Sequence, residues 1–343
     1  MTRDGVDGLD RAVIHALQID GRAPFRRIGE VLGVSDQTVA RRFSRLSGAV
    51  GLRVLALTDP AVLHERQWVL RVRAAPEAAA EIAEALARRS DTSWISLCSG
   101  GTEIVASACG DGVESLLFEA LPRTRHILDV RAHEVLHVFY GGAGQPFTKQ
   151  GPLTETQATR LARHAPPVVG PPPKMDGTSC RMLEVLRADG RASIDELTAA
   201  TATSASTVRR RLHELRAGGV LHFDVDVDLA VFDVPVRTML WLTIGIDELL
   251  AAGTALAASP EVAFAAGVTG TSNLFASVST RDTSALWQFL TSFVGRLPGV
   301  RDIETVTALR PVKGAVAFFP RPPTRASRHA PPRAGPPRGP AAR

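Results

Sequence analysis

The sequence predicts an α+β chain in which one long module is written twice, each copy a three-helix unit followed by a sheet unit of β-α-β-β-α-β order. Three observations predict it. The 343 residues are about twice the roughly 150 of one compact domain, and 45% of them are hydrophobic, enough for real cores. A shift of 169 residues lays Leu17, Asp20, Gly21, Arg22, Ser35, Thr38, Val39, Arg41, Arg42, Leu46 and Leu52 on Leu186, Asp189, Gly190, Arg191, Ser204, Thr207, Val208, Arg210, Arg211, Leu215 and Leu221, and a shift one residue longer lays GGTEIVASA at 100–108 on GTSNLFASV at 270–278. Within each copy the apolar spacing then changes from helical to alternating.

The first helix follows from Leu9, Val13, Ala16 and Leu17, spaced three and four apart before the break at Asp20-Gly21-Arg22. Phe25 to Leu32 is the second, Gly33 supplies a tight turn, and Ser35 can cap a third helix ending near Leu46. That is a helix-turn-helix pattern. β-Branched and aromatic residues then mark strands at 68–73, 94–98, 103–108 and 133–139, with helices at 78–88 and 113–121. Copy two repeats the order with strands at 237–246, 262–268, 273–279 and 301–309, and helices at 248–258 and 284–296. Such an order makes an antiparallel sheet with both helices on one face.

The resulting division is a helix-turn-helix domain over 1–58, a sheet domain over 66–142, a connector over 143–178, a second, weaker helix-turn-helix domain over 179–228, a second sheet domain over 235–319 and a tail over 320–343. The connector is rich in Pro and Gly and reads as an extended spacer, except that Thr154 and Gln157 stand in capping-box spacing and predict a short helix over 154–164. The Pro/Arg/Ala tail has almost nothing to bury and is expected to be disordered.

Composition excludes several classes. Forty Lys+Arg against 35 Asp+Glu give +5, but six arginines and no acid lie in 321–343, which leaves −1 for the rest. Any nucleic-acid footprint therefore has to be a local patch. Cys98, Cys109 and Cys180 form no CxxC pair and no disulfide framework, which fits a reducing cytoplasm; Cys98 and Cys109 read as core thiols. The start of the chain lacks an apolar signal core, and the longest apolar region, 229–246, is broken by Asp233, Pro235 and Arg237, so no membrane association is expected.

The segment LDRAVIHALQIDGRAPFRRIGEVLGVSDQTVARRFSRL, followed by strand, helix and a Gly-Thr loop, resembles the leucine-responsive regulator/AsnC (Lrp/AsnC) family of prokaryotic transcription factors, here in tandem form. The resemblance implies, in each copy, a winged or helix-turn-helix three-helix domain that binds DNA. It also implies a ferredoxin-like sensing domain that dimerises and often binds an amino acid or related metabolite between subunits. Copy one carries the signature through Asp20, Gly21, Arg22, Ile28, Leu32, Gly33, Val34, Ser35, Val39, Arg42 and Leu46. Copy two keeps Ser204, Val208, Arg211 and Leu215 but has Ala202 in place of Gly33 and Thr201 in place of Leu32. The family's Gly-x-x-Asp loop corresponds to Gly100-Gly101-Thr102-Glu103 and Gly270-Thr271-Ser272-Asn273, the residues that the resemblance offers for effector binding. The two sensing domains are expected to pair as a pseudo-dimer within one chain, as a homo-oligomer, or both.

With Val39, Phe43 and Leu46 buried, about 100° per residue turns Gln37, Arg41, Ser44 and Arg45 of the third helix outward, flanked by Thr38 and Arg42. Such a helix fits the major groove: Gln37 suits adenine, Arg41 suits guanine or phosphate, and Ser35, Arg26 and Arg27 add backbone contacts. In copy two Ser206, Thr207, Arg210 and Arg211 hold equivalent places, but Asp195, Glu196 and Glu214 replace Arg26, Arg27 and Arg45. Residues 20–48 have six Arg against three acids, and 189–217 have five against four. Copy one is expected to supply most of the affinity.

One motif points to another class. His133-Glu134-Val135-Leu136-His137 satisfies HExxH, which binds zinc on a helix; VRAHEVLHVFY is rich in β-formers, and on a strand the two His stand about 13 Å apart, too far to share an ion. Only Glu155 offers a later third ligand. The sequence reading is therefore a cytoplasmic, sequence-specific regulator that binds double-stranded DNA and responds to an amino acid or other small molecule, with no metal, no cofactor and no catalytic activity. The reading from another class is a metabolite-binding or assembly protein whose DNA binding has decayed.

Overall fold

A computed structural model describes residues 6–142, 145, 149, 151–162, 172–227 and 229–315. The expected tail and the end of the 154–164 helix lie outside the described residues. Copy one runs α1 (Gly8–Ile19), α2 (Phe25–Leu32), α3 (Asp36–Ala49), β1 (Arg53–Thr58), β2 (Gln67–Ala74), α4 (Pro76–Ala87), β3 (Thr92–Cys98) and β4 (Glu103–Cys109). It continues with α5 (Val113–Ser115), a π turn over Leu116–Ala120, α6 (Leu121–Arg123) and β5 (Ile127–Tyr140). The connector carries α7 (Glu155–Ala162). Copy two runs α8 (Gly177–Ala188), α9 (Ile194–Thr201), α10 (Ala205–Ala217), β6 (Leu221–Asp226), β7 (Val236–Ile244), α11 (Leu249–Ala258), β8 (Val262–Val268), β9 (Leu274–Thr280), α12 (Thr283–Ser292) and β10 (Val300–Lys313). The single helix expected over 113–121 is instead three short pieces.

Each sheet domain has the ferredoxin-like strand order, β3-β4-β2-β5 and β8-β9-β7-β10, antiparallel throughout, and the two join into a closed eight-stranded barrel. The long last strands make the joint. The first half of β5 pairs with β2 through Glu134, and the rest crosses to copy two, where Val135 faces Val268 and Val138 faces Ala266. The first half of β10 pairs with β7, and Ala308 and Arg310 then face Cys98 and Leu97 of copy one. Closure removes both free edges. Alternation separates two kinds of core. Leu70, Val72, Ile95 and Ile104 pack under α4, with Leu240, Leu242, Leu274 and Ala276 in the matching layer of copy two. Val69, Cys98, Val105, Met239, Trp241, Phe275 and Val306 fill the barrel between the sheets.

A second sheet, absent from the sequence reading, ties the helical domains together: β1 and β6 pair antiparallel from Arg53↔Asp226 to Thr58↔Leu221. The repeated Asp-Gly-Arg segments lock this joint reciprocally. Arg22 donates to the carbonyls of Gly190 (2.7 Å) and Ala192 (2.9 Å), and Arg191 donates to those of Gly21 (2.6 Å) and Ala23 (3.2 Å). Both glycines are required by close approach, since a Cβ at Gly21 would lie 2.7 Å from Val54 Cγ1 and one at Gly190 2.8 Å from the Val54 carbonyl. The connector is more than a spacer. Leu161 of α7 is buried in the core of the first helical domain, and Gln157 donates to the Val31 carbonyl at 3.2 Å. Helix α8 begins inside the expected connector because Asp176 caps it by accepting from the Ser179 amide, as Asp7 caps α1 by accepting from Asp10.

Candidate nucleic-acid interface

The reading head of copy one is built from its turn outward. Gly33, at φ +72°, closes α2 in the left-handed region, and a Cβ at Gly29 would lie 2.5 Å from the Val34 carbonyl, so the turn is tight on both sides. Ser35 then caps α3, its Oγ accepting from the Thr38 amide at 3.1 Å. Val39 and Leu46 are fully buried, while Phe43 is half-buried against Phe25, ring centres 5.4 Å apart. That orientation leaves Gln37, Arg41 and Ser44 exposed along one face. Among the described residues Arg41 has no hydrogen bond or ion pair.

The other expected cations are placed differently. Arg42 and Arg45 both bind the buried Asp10 carboxylate, and Arg42 also binds Asp7, so they hold α3 to the start of α1. Asp7 is held below the usual carboxylate range, first by the Asp10 amide and then by Arg42. On α2, Arg26 is exposed beside Glu30, and Arg27 bonds Glu30 and the Arg160 carbonyl of α7. Sequence spacing could not show this, because Asp7, Asp10 and Arg160 lie on other elements. Arg41, Gln37, Thr38 and Arg26 are thus the side chains best disposed toward a partner.

Copy two has the same skeleton with fewer uncommitted cations. Ser204 caps α10 through the Thr207 amide at 3.2 Å, and Val208 and Leu215 are buried. Ser206 and Arg210 are exposed, but Arg210 pairs with Glu214 at 2.6 Å, and Arg211 binds Asp176 and Glu214. Asp195 and Glu196 stand exposed at the start of α9, where copy one has Arg26 and Arg27. Glu196 is held ionised by the Ser193 amide of a capping box. Ala202 takes the Gly33 place at φ +51°, a left-handed conformation that its Cβ disfavours.

In the barrel half, the two Gly-Thr loops lie where the copies meet. Ser99, Gly100 and Gly101 all have positive φ, and Thr102 Oγ1 donates to the Ser99 carbonyl at 3.0 Å. Glu103 is buried and accepts from Arg71 at 2.7 Å; Arg71 also makes a bidentate pair with Glu304 of copy two and lies 5.0 Å from the centre of the Trp241 ring. Asn273 accepts from the Ile244 amide and donates to its carbonyl, while the Thr271 carbonyl accepts from Thr243. Gly270 sits at φ +114°, and a Cβ there would lie 2.7 Å from His133 Nδ1; its neighbour Ser272 is half-buried. Glu103 and Asn273 therefore serve the structure directly.

The HExxH segment is a strand, within β5. His133 packs against Trp241 with the rings tilted by 41° and their centres 4.7 Å apart, and its Nδ1–H donates to the Thr269 carbonyl at 2.7 Å; burial pushes its pKa down. His137 instead packs edge-on to Phe139. Among the described residues no group of three or more His, Cys, Asp or Glu is disposed to hold a metal ion, and no helix is long and apolar enough to cross a membrane.

Two helix-turn-helix heads on a closed barrel of two ferredoxin-like sheets define the class of architecture. The AsnC-type helix-turn-helix domain matches residues 6–47 and again 175–216, and the Lrp/AsnC ligand-binding domain matches 242–317. The chain belongs to the Lrp/AsnC family. It is 24% identical over 137 residues to the HTH-type transcriptional regulator FL11 of Pyrococcus horikoshii, covering 40% of this chain and 90% of that one. It is 30% identical over 101 residues to an uncharacterized HTH-type transcriptional regulator of Pyrococcus furiosus, covering 29% and 68%. Its tandem fold is similar to the crystal structure of the siroheme decarboxylase NirDL, with TM-score 0.61, 13% identity, and coverage of 92% of this chain and 95% of that one.

Proposed function

We propose that the protein is a sequence-specific DNA-binding regulator without catalytic activity, whose first head supplies most of the affinity. The observation that carries this reading is the exposed face of α3, where Gln37 and Arg41 stand together in solvent above a packed apolar face. An α-helix of this kind enters the major groove, where a Gln amide matches adenine and a guanidinium matches guanine. Ser35, Thr38 and Arg26 lie where the helix start and α2 would meet phosphates, contacts that set register without reading sequence. Arg42, Arg45 and Arg27 act mainly by holding the head rigid.

In copy two Ser206, Thr207, Arg210 and Arg211 meet a weaker half-site, because Asp195 and Glu196 repel phosphate and Glu214 competes for Arg210. The β1–β6 sheet and the Arg22 and Arg191 contacts fix the two unequal heads relative to each other, which favours an asymmetric operator. A small molecule, an amino acid or a related metabolite, modulates this binding through the barrel. The Gly100–Glu103 and Gly270–Asn273 loops, at the seam of the two copies, are one place where it would act. It has to bind two states of the joint unequally to do so. We place the protein in the cytoplasm, alone or in larger assemblies.

Footprinting on the DNA that flanks its own gene, with and without added amino acids, tests the reading. Protection that weakens with salt and is lost in Arg41→Ala supports it. Absence of salt-sensitive binding to any duplex favours the metabolite-binding or assembly protein.

A further inference from the structure

A cavity of about 110 Å³ lies inside the barrel, away from the Gly-Thr loops, and shares Gln67, Trp94, Ser107 and Phe264 with a larger cleft of about 930 Å³ below the helical heads. Its lining falls into pairs at the 170-residue spacing of the two sheet domains: Gln67 with Arg237, Trp94 with Phe264, Ser107 with Ser277. The ladder agrees, since Val69 faces Ser107 in β2–β4 just as Met239 faces Ser277 in β7–β9. The cavity therefore straddles the axis that relates the copies.

On such an axis a symmetric dimer presents every charge twice, and two guanidiniums facing one small space repel each other. Duplication within a single chain lifts that restriction, and this chain has Gln67 on one side and Arg237 on the other. Arg237 brings the one formal charge among the described lining residues. Its Nε donates to Ser277 Oγ at 3.3 Å, and its guanidinium carbon lies 5.7 Å from the centre of the Trp94 ring. Trp94 is held at φ +52° within β3, where the ladder breaks between Ser93 and Ser96, and its amide donates to the Gly314 carbonyl at 2.8 Å. Positive φ is rare for a bulky side chain and collects at functional sites.

We propose that this cavity binds one small organic monocarboxylate per chain, its carboxylate on Arg237 and Ser277 and its apolar body between Trp94, Phe264 and Phe275. The volume is about three-quarters of the apolar cavity of about 150 Å³ that holds benzene, so the body is at most about six carbons, with room toward the cleft for a substituent. A single bound anion touches strands of both copies, β3 through Trp94 on one side and β7, β8 and β9 on the other. Its regulatory consequence rests on the barrel being the sensing half; its binding does not.

Titration calorimetry of the full chain with benzoate, and with benzamide as the neutral isostere, tests the proposal without DNA. We expect one benzoate per chain, bound more tightly than benzamide. Arg237→Gln, which installs the residue of its counterpart, weakens benzoate roughly tenfold to a hundredfold and leaves benzamide unchanged. Phe264→Ala weakens both. Two sites per chain, equal affinity for the two probes, no saturable binding, or an unaltered benzoate affinity in Arg237→Gln overturns the proposal. A parallel shift assay keeps the readings apart: DNA binding without benzoate binding overturns the cavity alone, and benzoate binding without DNA binding overturns the regulator alone.

Discussion

Arg191→Met tests the joint between the heads. The substitution keeps most of the side-chain volume but removes the donors to the Gly21 and Ala23 carbonyls, at 2.6 and 3.2 Å, and the cation 4.4 Å above the Phe25 ring and 5.7 Å from the Phe43 ring. A hydrogen bond from a charged donor contributes about 1.5–3 kcal/mol and a cation–π contact about 0.5–1 kcal/mol. Against that stands desolvation, which pushes the Arg191 pKa down, so the sum has to be discounted. We expect a net loss of about 2–4 kcal/mol, read as an earlier urea transition by far-ultraviolet circular dichroism. Arg22→Met should lose a similar amount through Gly190 and Ala192, and the double variant less than the sum, because both serve one joint. Single variants within about 0.5 kcal/mol of the parent would show that these contacts do not hold the joint.

Other outcomes follow from single sites. Ala202→Gly relieves the left-handed strain at φ +51° and should stabilise copy two by about 0.5–1 kcal/mol in thermal unfolding, whereas Gly33→Ala should do the reverse. Arg71→Leu leaves the buried Glu103 carboxylate without its ion-pair partner and should cost about 3–5 kcal/mol, while Glu304→Gln, at the exposed end of the pair, should cost far less. Burial pushes His222 down to about 4, near Asp59; the unfolded chain takes up a proton there first, so stability falls as pH drops from about 6.5 through 4. His222→Gln should retain more stability at pH 5. Burial, with Asp226 adding to it, raises Asp224 to about 7, and here the folded state holds the proton longer, so stability falls as pH rises from about 4 through 7. Asp224→Asn should flatten that fall, as read from urea midpoints across the range.

Much of the architecture was legible because it is local or repeated. The apolar spacing of α1, the Gly33 turn and the Ser35 cap are carried by neighbouring residues, and HEVLH reads as a strand from its β-formers alone. What escaped depends on partners distant in sequence. β1 and β6 are six residues each and stable only together, so neither window announces a strand. β5 and β10 extend to 14 residues because each serves two sheets, a property of barrel closure rather than of composition. At the reading head, helical periodicity sends Arg42 and Arg45 toward DNA, yet Asp7 and Asp10 across the fold claim them. The pairing of Gln67 with Arg237 becomes meaningful only once the two copies are seen to enclose one cavity.

On the proposed function, α3 of the first copy is the principal reader of DNA. The most direct test compares Arg41→Ala with Arg210→Ala against one operator in a shift assay at fixed and then varied salt. Arg41 is unpaired among the described residues and Arg210 already binds Glu214, so Arg41→Ala should cost about 1–3 kcal/mol of affinity and Arg210→Ala well under half of that. Equal losses, or no loss at Arg41, would mean that α3 is not the principal reader.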